Sequence, residues 1–114
     1  MVTAEEIRAV ALALPRTTEA LVRDRVKFRV GRIVYVALSR DETNMGCGYP
    51  RELRAAAVAA EPEKFFMPRP SEMRFQWIEV WLSAIDAGEM RELVTDAWRM
   101  CVPKRVASLH LGLD

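Results

Sequence analysis

Arg23, Arg25, Lys27 and Arg29 occupy every second position in the stretch Val22 to Val30, where Val22, Val26, Phe28 and Val30 are the apolar residues. In a β-strand a period of two sends alternate residues to opposite faces, so this segment predicts a basic stripe on one face and an apolar ribbon on the other. Arginine presents a planar fork of donors to phosphate oxygens. A row of cations spaced by roughly 7 Å follows a nucleic-acid backbone, and Arg32 extends it. Four neutralised phosphates on duplex DNA would give log K a slope of about −3.6 against log salt. The alternative for the same residues is a solvated strand face whose charge discourages edge pairing.

Tyr35, Trp77 and Trp81 form a second candidate group, an aromatic platform on which bases would stack. Glu79 lies between the two tryptophans on the same strand face and would repel phosphate. The alternative for these aromatics is a place in the core.

No constellation for catalysis is present. Cys47 stands between Gly46 and Gly48 with no adjacent base to activate a thiol, and is read as a small buried hydrophobe. The two glycines lack the lysine and hydroxyl of a phosphate loop. His110 has no partner, and the pairs Glu5 with Glu6 and Glu61 with Glu63 fall at helix ends, where carboxylates meet the macrodipole or solvent. Cys47 and Cys101 lie far apart without metal-ligand spacing, so no metal, cofactor or disulfide is expected.

Composition bounds these candidates. A chain of 114 residues, with 51% hydrophobic and 29% charged, suits one ordinary domain over residues 1–114. The net charge of only +1 does not by itself indicate nucleic acid. The six basic residues and one acid from Arg23 to Arg40 nevertheless give that stretch +5. The start is acidic rather than basic and apolar, and no apolar run is long enough for a bilayer; a cytoplasmic protein without a membrane partner is expected.

Elements to position the candidates follow from periodicity. Thr3 with Glu6 is a capping box for a helix burying Ile7, Val10, Ala11 and Leu14, which Pro15 ends. After a turn at Arg16 to Thr18 come the alternating segment, a Gly31-Arg32 turn, and the strand Ile33 to Leu38, which together make a hairpin. Thr43 to Gly48 is a shorter strand. Pro50 begins a second helix with Leu53, Ala56, Ala57 and Ala60 inward. Phe65-Phe66 opens a short strand or tucked loop, and Phe75 to Leu82 is the last strand. Asp86 with Glu89 caps the strongest helix, with Met90, Leu93, Val94, Ala97, Trp98 and Cys101 at helical spacing. A final turn or two follows Pro103. Strands in blocks flanked by helices predict a two-layer α+β fold with a largely antiparallel sheet. Val26, Phe28, Val30, Val34, Val36, Leu38, Ile78, Val80 and Leu82 then face the helices, while Lys27, Arg29, Tyr35, Trp77, Glu79 and Trp81 face outward.

With the elements in this order, the chain resembles the MmcQ/YjbR family of small cytoplasmic bacterial proteins, often labelled DNA-binding. The likeness is carried by Ala13-Leu14-Pro15, Lys27-Phe28-Arg29-Val30-Gly31, Val36-Ala37-Leu38-Ser39, Glu61-Pro62 with Phe65-Phe66, Trp77-Ile78 with Val80 and Leu82, Leu93 with Ala97-Trp98-Arg99, and Pro103-Lys104-Arg105. Met45-Gly46-Cys47-Gly48-Tyr49 departs from the regular strand of the family. The resemblance implies an α-β(3)-α-β(2)-α fold similar to secretion chaperones, with an open sheet face and hairpins as a double-winged DNA surface. It brings no catalytic or ligand-binding residues.

The expected function is therefore a non-enzymatic protein that binds DNA or another polyanion through Arg23, Arg25, Lys27, Arg29, Arg32, Tyr35, Trp77 and Trp81. The alternative is a chaperone-like module whose aromatic face takes a partner peptide or a second copy in a homodimer.

Overall fold

Two reciprocal caps start two of the helices. Thr3 Oγ1 accepts the Glu6 backbone N–H at 3.3 Å while Glu6 Oε1 accepts that of Thr3 at 3.0 Å, which opens α1, Ala4–Leu12. Asp86 and Glu89 repeat the exchange to open α3, Ala87–Arg99. The second helix, α2, is Arg51–Ala60 directly after Pro50, and α4 is Lys104–Leu111 directly after Pro103. The structure, a computed structural model, describes residues 1–112.

Among the described residues, six strands form one sheet: β1, Thr17–Val22; β2, Arg25–Val30; β3, Ile33–Leu38; β4, Asn44–Gly48; β5, Phe65–Phe66; and β6, Trp77–Trp81. Their order is β1-β2-β3-β4-β6-β5, and every pairing is antiparallel. The α+β fold with an antiparallel sheet stands as the sequence implies, with one strand more, and the turn or two expected after Pro103 forms as α4.

The added strand is β1, placed where the sequence suggested a turn. Val22 pairs with Arg25, and the residues between them, Arg23 and Asp24, both have positive φ (52° and 66°). Two left-handed residues in a two-residue connection match the twist of an antiparallel pair. The basic stripe is therefore broken: Arg23 lies in a hairpin turn, and Val22 shares a face with Arg25 and Lys27 instead of the apolar ribbon. The second hairpin turn, Gly31-Arg32 between Val30 and Ile33, lies where the sequence placed it.

Phe28, Val36, Cys47 and Ile78 are register partners across β2, β3, β4 and β6, and all four are fully buried. They join Ile7 and Ala11 of α1 and Met90, Val94, Ala97 and Trp98 of α3 in one core. The Trp98 indole N–H finds the Pro15 carbonyl at 2.8 Å, so the largest core residue also satisfies its polar atom.

α2 turns a different face inward from the one its alanines suggest. Leu53 is 53% exposed, whereas Arg54 is 5% exposed beside half-buried Ala57 and Val58. The Arg54 guanidinium donates to the carbonyls of Met73 (2.8 Å), Phe75 (3.1 Å) and Trp77 (2.9 Å). An arginine that meets three carbonyls is buried at tolerable cost, and it fastens the segment leading into β6. No helix among the described residues is long and apolar enough to cross a membrane.

Candidate anion-binding trough

The row next to the buried one is Lys27, Ala37, Gly46 and Glu79, again opposite one another in β2, β3, β4 and β6. Its two middle members carry at most a methyl group; Ala37 is 4% exposed, and Gly46 is buried beneath the Trp77 ring. Between the two ends of this row, Lys27 and Glu79, the segment between β5 and β6 and the turns at Arg23 and Arg40 wall a concavity of about 710 Å³. Val22, Arg23, Arg25, Lys27, Arg40 and Arg69 line it, as do the acids Asp41, Glu72 and Glu79.

The cations are anchored and available. Arg25 Nε donates to the Leu38 carbonyl at 3.0 Å, and Arg40 Nε donates to the Arg23 carbonyl at 3.2 Å, leaving the terminal guanidinium nitrogens for a ligand. Among the described residues, Arg23, Arg25, Lys27 and Arg40 form no salt bridge.

The three acids differ in what holds them. Asp41 accepts Ser39 Oγ at 2.8 Å and Thr43 Oγ1 at 2.8 Å, which closes its own turn and keeps its carboxyl below the usual range. Glu72 stands 3.8 Å from Arg69. Glu79, only 8% exposed, has no cation within 4.0 Å among the described residues and accepts two neutral donors, Trp77 Nε1 at 2.9 Å and Asn44 Nδ2 at 3.0 Å. Burial raises its pKa, against which these hydrogen bonds work.

A second concavity of about 500 Å³ adjoins the first, and both are lined by Arg25, Lys27 and Glu72. Its further lining is mostly apolar: Ile33, Val34, Phe75, Trp77, Met100 and Arg32. The open face is thus one trough with a basic end, an aromatic and aliphatic end, and Arg25 and Lys27 where the two meet.

The expected site residues divide accordingly. Arg25 and Lys27 stand together on the open face; Arg23 reaches the trough from the turn, and Arg32 from the second concavity. Arg29 is exposed and lines neither. Tyr35 does not face outward. Phe28 pairs with Val36 and Arg29 with Val34, so Tyr35 is the unpaired residue of a β-bulge. The bulge re-aims Tyr35 to the helix side, fully buried, with its hydroxyl 2.7 Å from Thr17 Oγ1. Burial pushes that hydroxyl up to about 12, and Val34 takes the outward place.

The tryptophans separate as well. Trp77 is half-buried and lies across Gly46, where a Cβ would come within 2.3 Å of Nε1. Trp81 is 39% exposed and stacks on Phe66 at 4.5 Å between centroids. Arg40, Arg69 and Asn44 were missed in the sequence because they come from turns and a strand end, where periodicity carries no signal. Cys47 is buried, and desolvation holds its thiol up to about 12, which suits a core residue and not a nucleophile. No group of three potential metal ligands occurs among the described residues.

Among solved structures the fold is similar to that of Deinococcus radiodurans protein DR2400, which carries the domain DUF419. The likeness has a TM-score of 0.77 at 19% identity and covers 100% of this chain and 91% of that one. No curated protein matches the sequence. The YjbR family model matches residues 12–100, so the chain that folds its open sheet face into this trough belongs to the YjbR family.

Proposed function

We propose that this protein is a non-enzymatic binding module that takes nucleic acid, in single-stranded form, along the trough of the open sheet face. The observation that carries this is the convergence of Arg23, Arg25, Lys27, Arg40 and Arg69 on one concavity. Duplex readers project a helix or ribbon into a groove, whereas here the cations line a hollow of about 710 Å³. A single strand can lay its phosphates into such a hollow and stack a base on the Trp77 ring of the adjoining concavity.

Three phosphates held by Arg25, Lys27 and Arg40 would give a slope of about −2.1 for log K against log salt with single strands. The test is titration of a fluorescent single-stranded oligonucleotide at several salt concentrations, with wild type and R25A/K27A. Affinity should fall at least tenfold in the double variant, with a shallower salt slope. Equal affinity in both proteins, or binding indifferent to salt, would remove the proposal.

The alternative, a partner peptide or second copy, is favoured by one different observation. β1 is an edge strand of six residues that exposes Leu21 (71%) and Val22 (39%), a template for strand addition. A concentration-dependent mass in light scattering that disappears in L21K would support it.

A further inference from the structure

Glu79 is out of place in a site for phosphate alone. Its carboxylate shares the trough with Arg25 and Lys27, yet stands at the opposite end of the Lys27, Ala37, Gly46 and Glu79 row from Lys27. Three strand spacings separate the backbones of Lys27 and Glu79, roughly 14 Å. Trp77 covers Gly46 within that span, so a ligand that is anionic at one end and donates hydrogen bonds at the other would reach both ends over the indole.

The surroundings of Glu79 narrow the donors. Trp77 Nε1 occupies one lone pair of Oε2 and Asn44 Nδ2 one of Oε1, which leaves a lone pair on each oxygen of a carboxylate. Two parallel N–H donors on one planar edge can meet both oxygens together. The indole of Trp77, which lies over Gly46 and donates to Glu79, is half-buried and offers a ring face from the adjoining concavity. An aromatic heterocycle carrying two adjacent donors would stack and bond at once.

We infer that Glu79 and Trp77 read a guanine-type base, whose ring N–H and exocyclic amine lie side by side on its Watson–Crick edge, while its phosphate is held by Arg25 and Lys27. This rests on the trough being a nucleic-acid or nucleotide site and adds its specificity. Adenine and cytosine set a single amine beside a ring acceptor, and uracil flanks its one N–H with carbonyls; each turns an acceptor toward the carboxylate. A site built to receive donors discriminates strongly against an edge that lacks them. The raised pKa of Glu79 fits a buried carboxylate with only two neutral donors, to which a base edge would add two more.

Isothermal titration calorimetry of the intact chain with GMP, AMP, CMP, UMP and IMP tests this, together with oligothymidylates carrying one central dG or dA. GMP, or the dG strand, should bind at least tenfold tighter than the other natural bases. IMP, which keeps the ring N–H and lacks the amine, should lose about tenfold relative to GMP. In E79Q, with folding checked by circular dichroism, the preference should shrink to within about twofold, because one oxygen acceptor becomes a donor. The IMP comparison needs no variant and stands if E79Q does not fold. Preference seen with GMP identifies a nucleotide, and preference seen only in the strand identifies nucleic acid; either supports the inference. Binding of all bases alike, IMP equal to GMP, or a preference that survives in E79Q would overturn it while leaving the trough as a site. Failure of every nucleotide and oligonucleotide to bind would overturn both.

Discussion

On the helix side of the sheet, Phe28, Val36, Cys47 and Ile78 stand opposite one another and vanish beneath α1 and α3. One residue along the same strands, the row is Lys27, Ala37, Gly46 and Glu79. Both rows obey the same alternation, and they solve different physical problems. Apolar side chains need only volume and contact, so the first row is complete once helices cover it. Charged side chains need specific donors, acceptors or water, so the open face depends on partners outside its own row: Trp77 and the sequence-distant Asn44 for Glu79, and the Leu38 carbonyl for the neighbouring Arg25. The covered face is therefore a device for stability, and the open face keeps its free donors and lone pairs for something else.

The largest effect that would test this contrast lies on the covered side. Trp98→Ala removes a fully buried indole and orphans the Pro15 carbonyl, and should lower stability by about 3–5 kcal/mol in urea denaturation. A loss below 1 kcal/mol would mean that α3 is not the lid of the core. On the open side, Gly46→Ala forces the Trp77 ring off this position, since the new methyl would stand 2.3 Å from its Nε1. A loss of about 1–3 kcal/mol with a shift in tryptophan emission is expected; unchanged emission would place Trp77 elsewhere.

Glu79 adds a pH-dependent component. Its folded pKa is raised by burial, so the native state binds the proton more tightly than the unfolded chain does. Its contribution is favourable at low pH and declines as pH rises from the ordinary glutamate value of 4.5 through the raised folded value. The stability of E79Q relative to wild type should therefore increase between about pH 4 and about pH 7, measured by thermal melts across that range. A constant difference would mean that the carboxylate is hydrated. Smallest of all, R29A/R32A should change stability by no more than about 0.5 kcal/mol per residue in the same melts. A loss beyond 1 kcal/mol would place these two arginines in structural contacts.

Legibility in the sequence followed the same division. Both capping boxes, the stripe of Ile7, Ala11 and Leu14, and the set Met90, Val94, Ala97 and Trp98 could be read directly, because one residue's face on a helix is fixed by its spacing from the next. The strand β1 was hidden: its helix-side residue Glu19 is held by Arg8 at 2.9 Å, so no apolar alternation marks it. Its turn uses Arg23 and Asp24 instead of asparagine and glycine. Tyr35 was misplaced and Arg54 overlooked for related reasons, since a bulge changes strand parity and an arginine can be buried when three carbonyls await it.

Local sequence determined the helices, the Gly31-Arg32 hairpin, the apolar core residues and the concentration of basic charge between Arg23 and Arg40. These depend on periodicity, caps and composition, which act over a few residues. The tertiary structure decided which of the basic residues meet, that Trp77 lies over Gly46, and that Glu79 and Lys27 stand at the two ends of one cross-strand row. Those relations depend on strand register and on turns that bring Arg25, Arg40, Asn44 and Arg69 to one hollow, and no spacing along the chain encodes them.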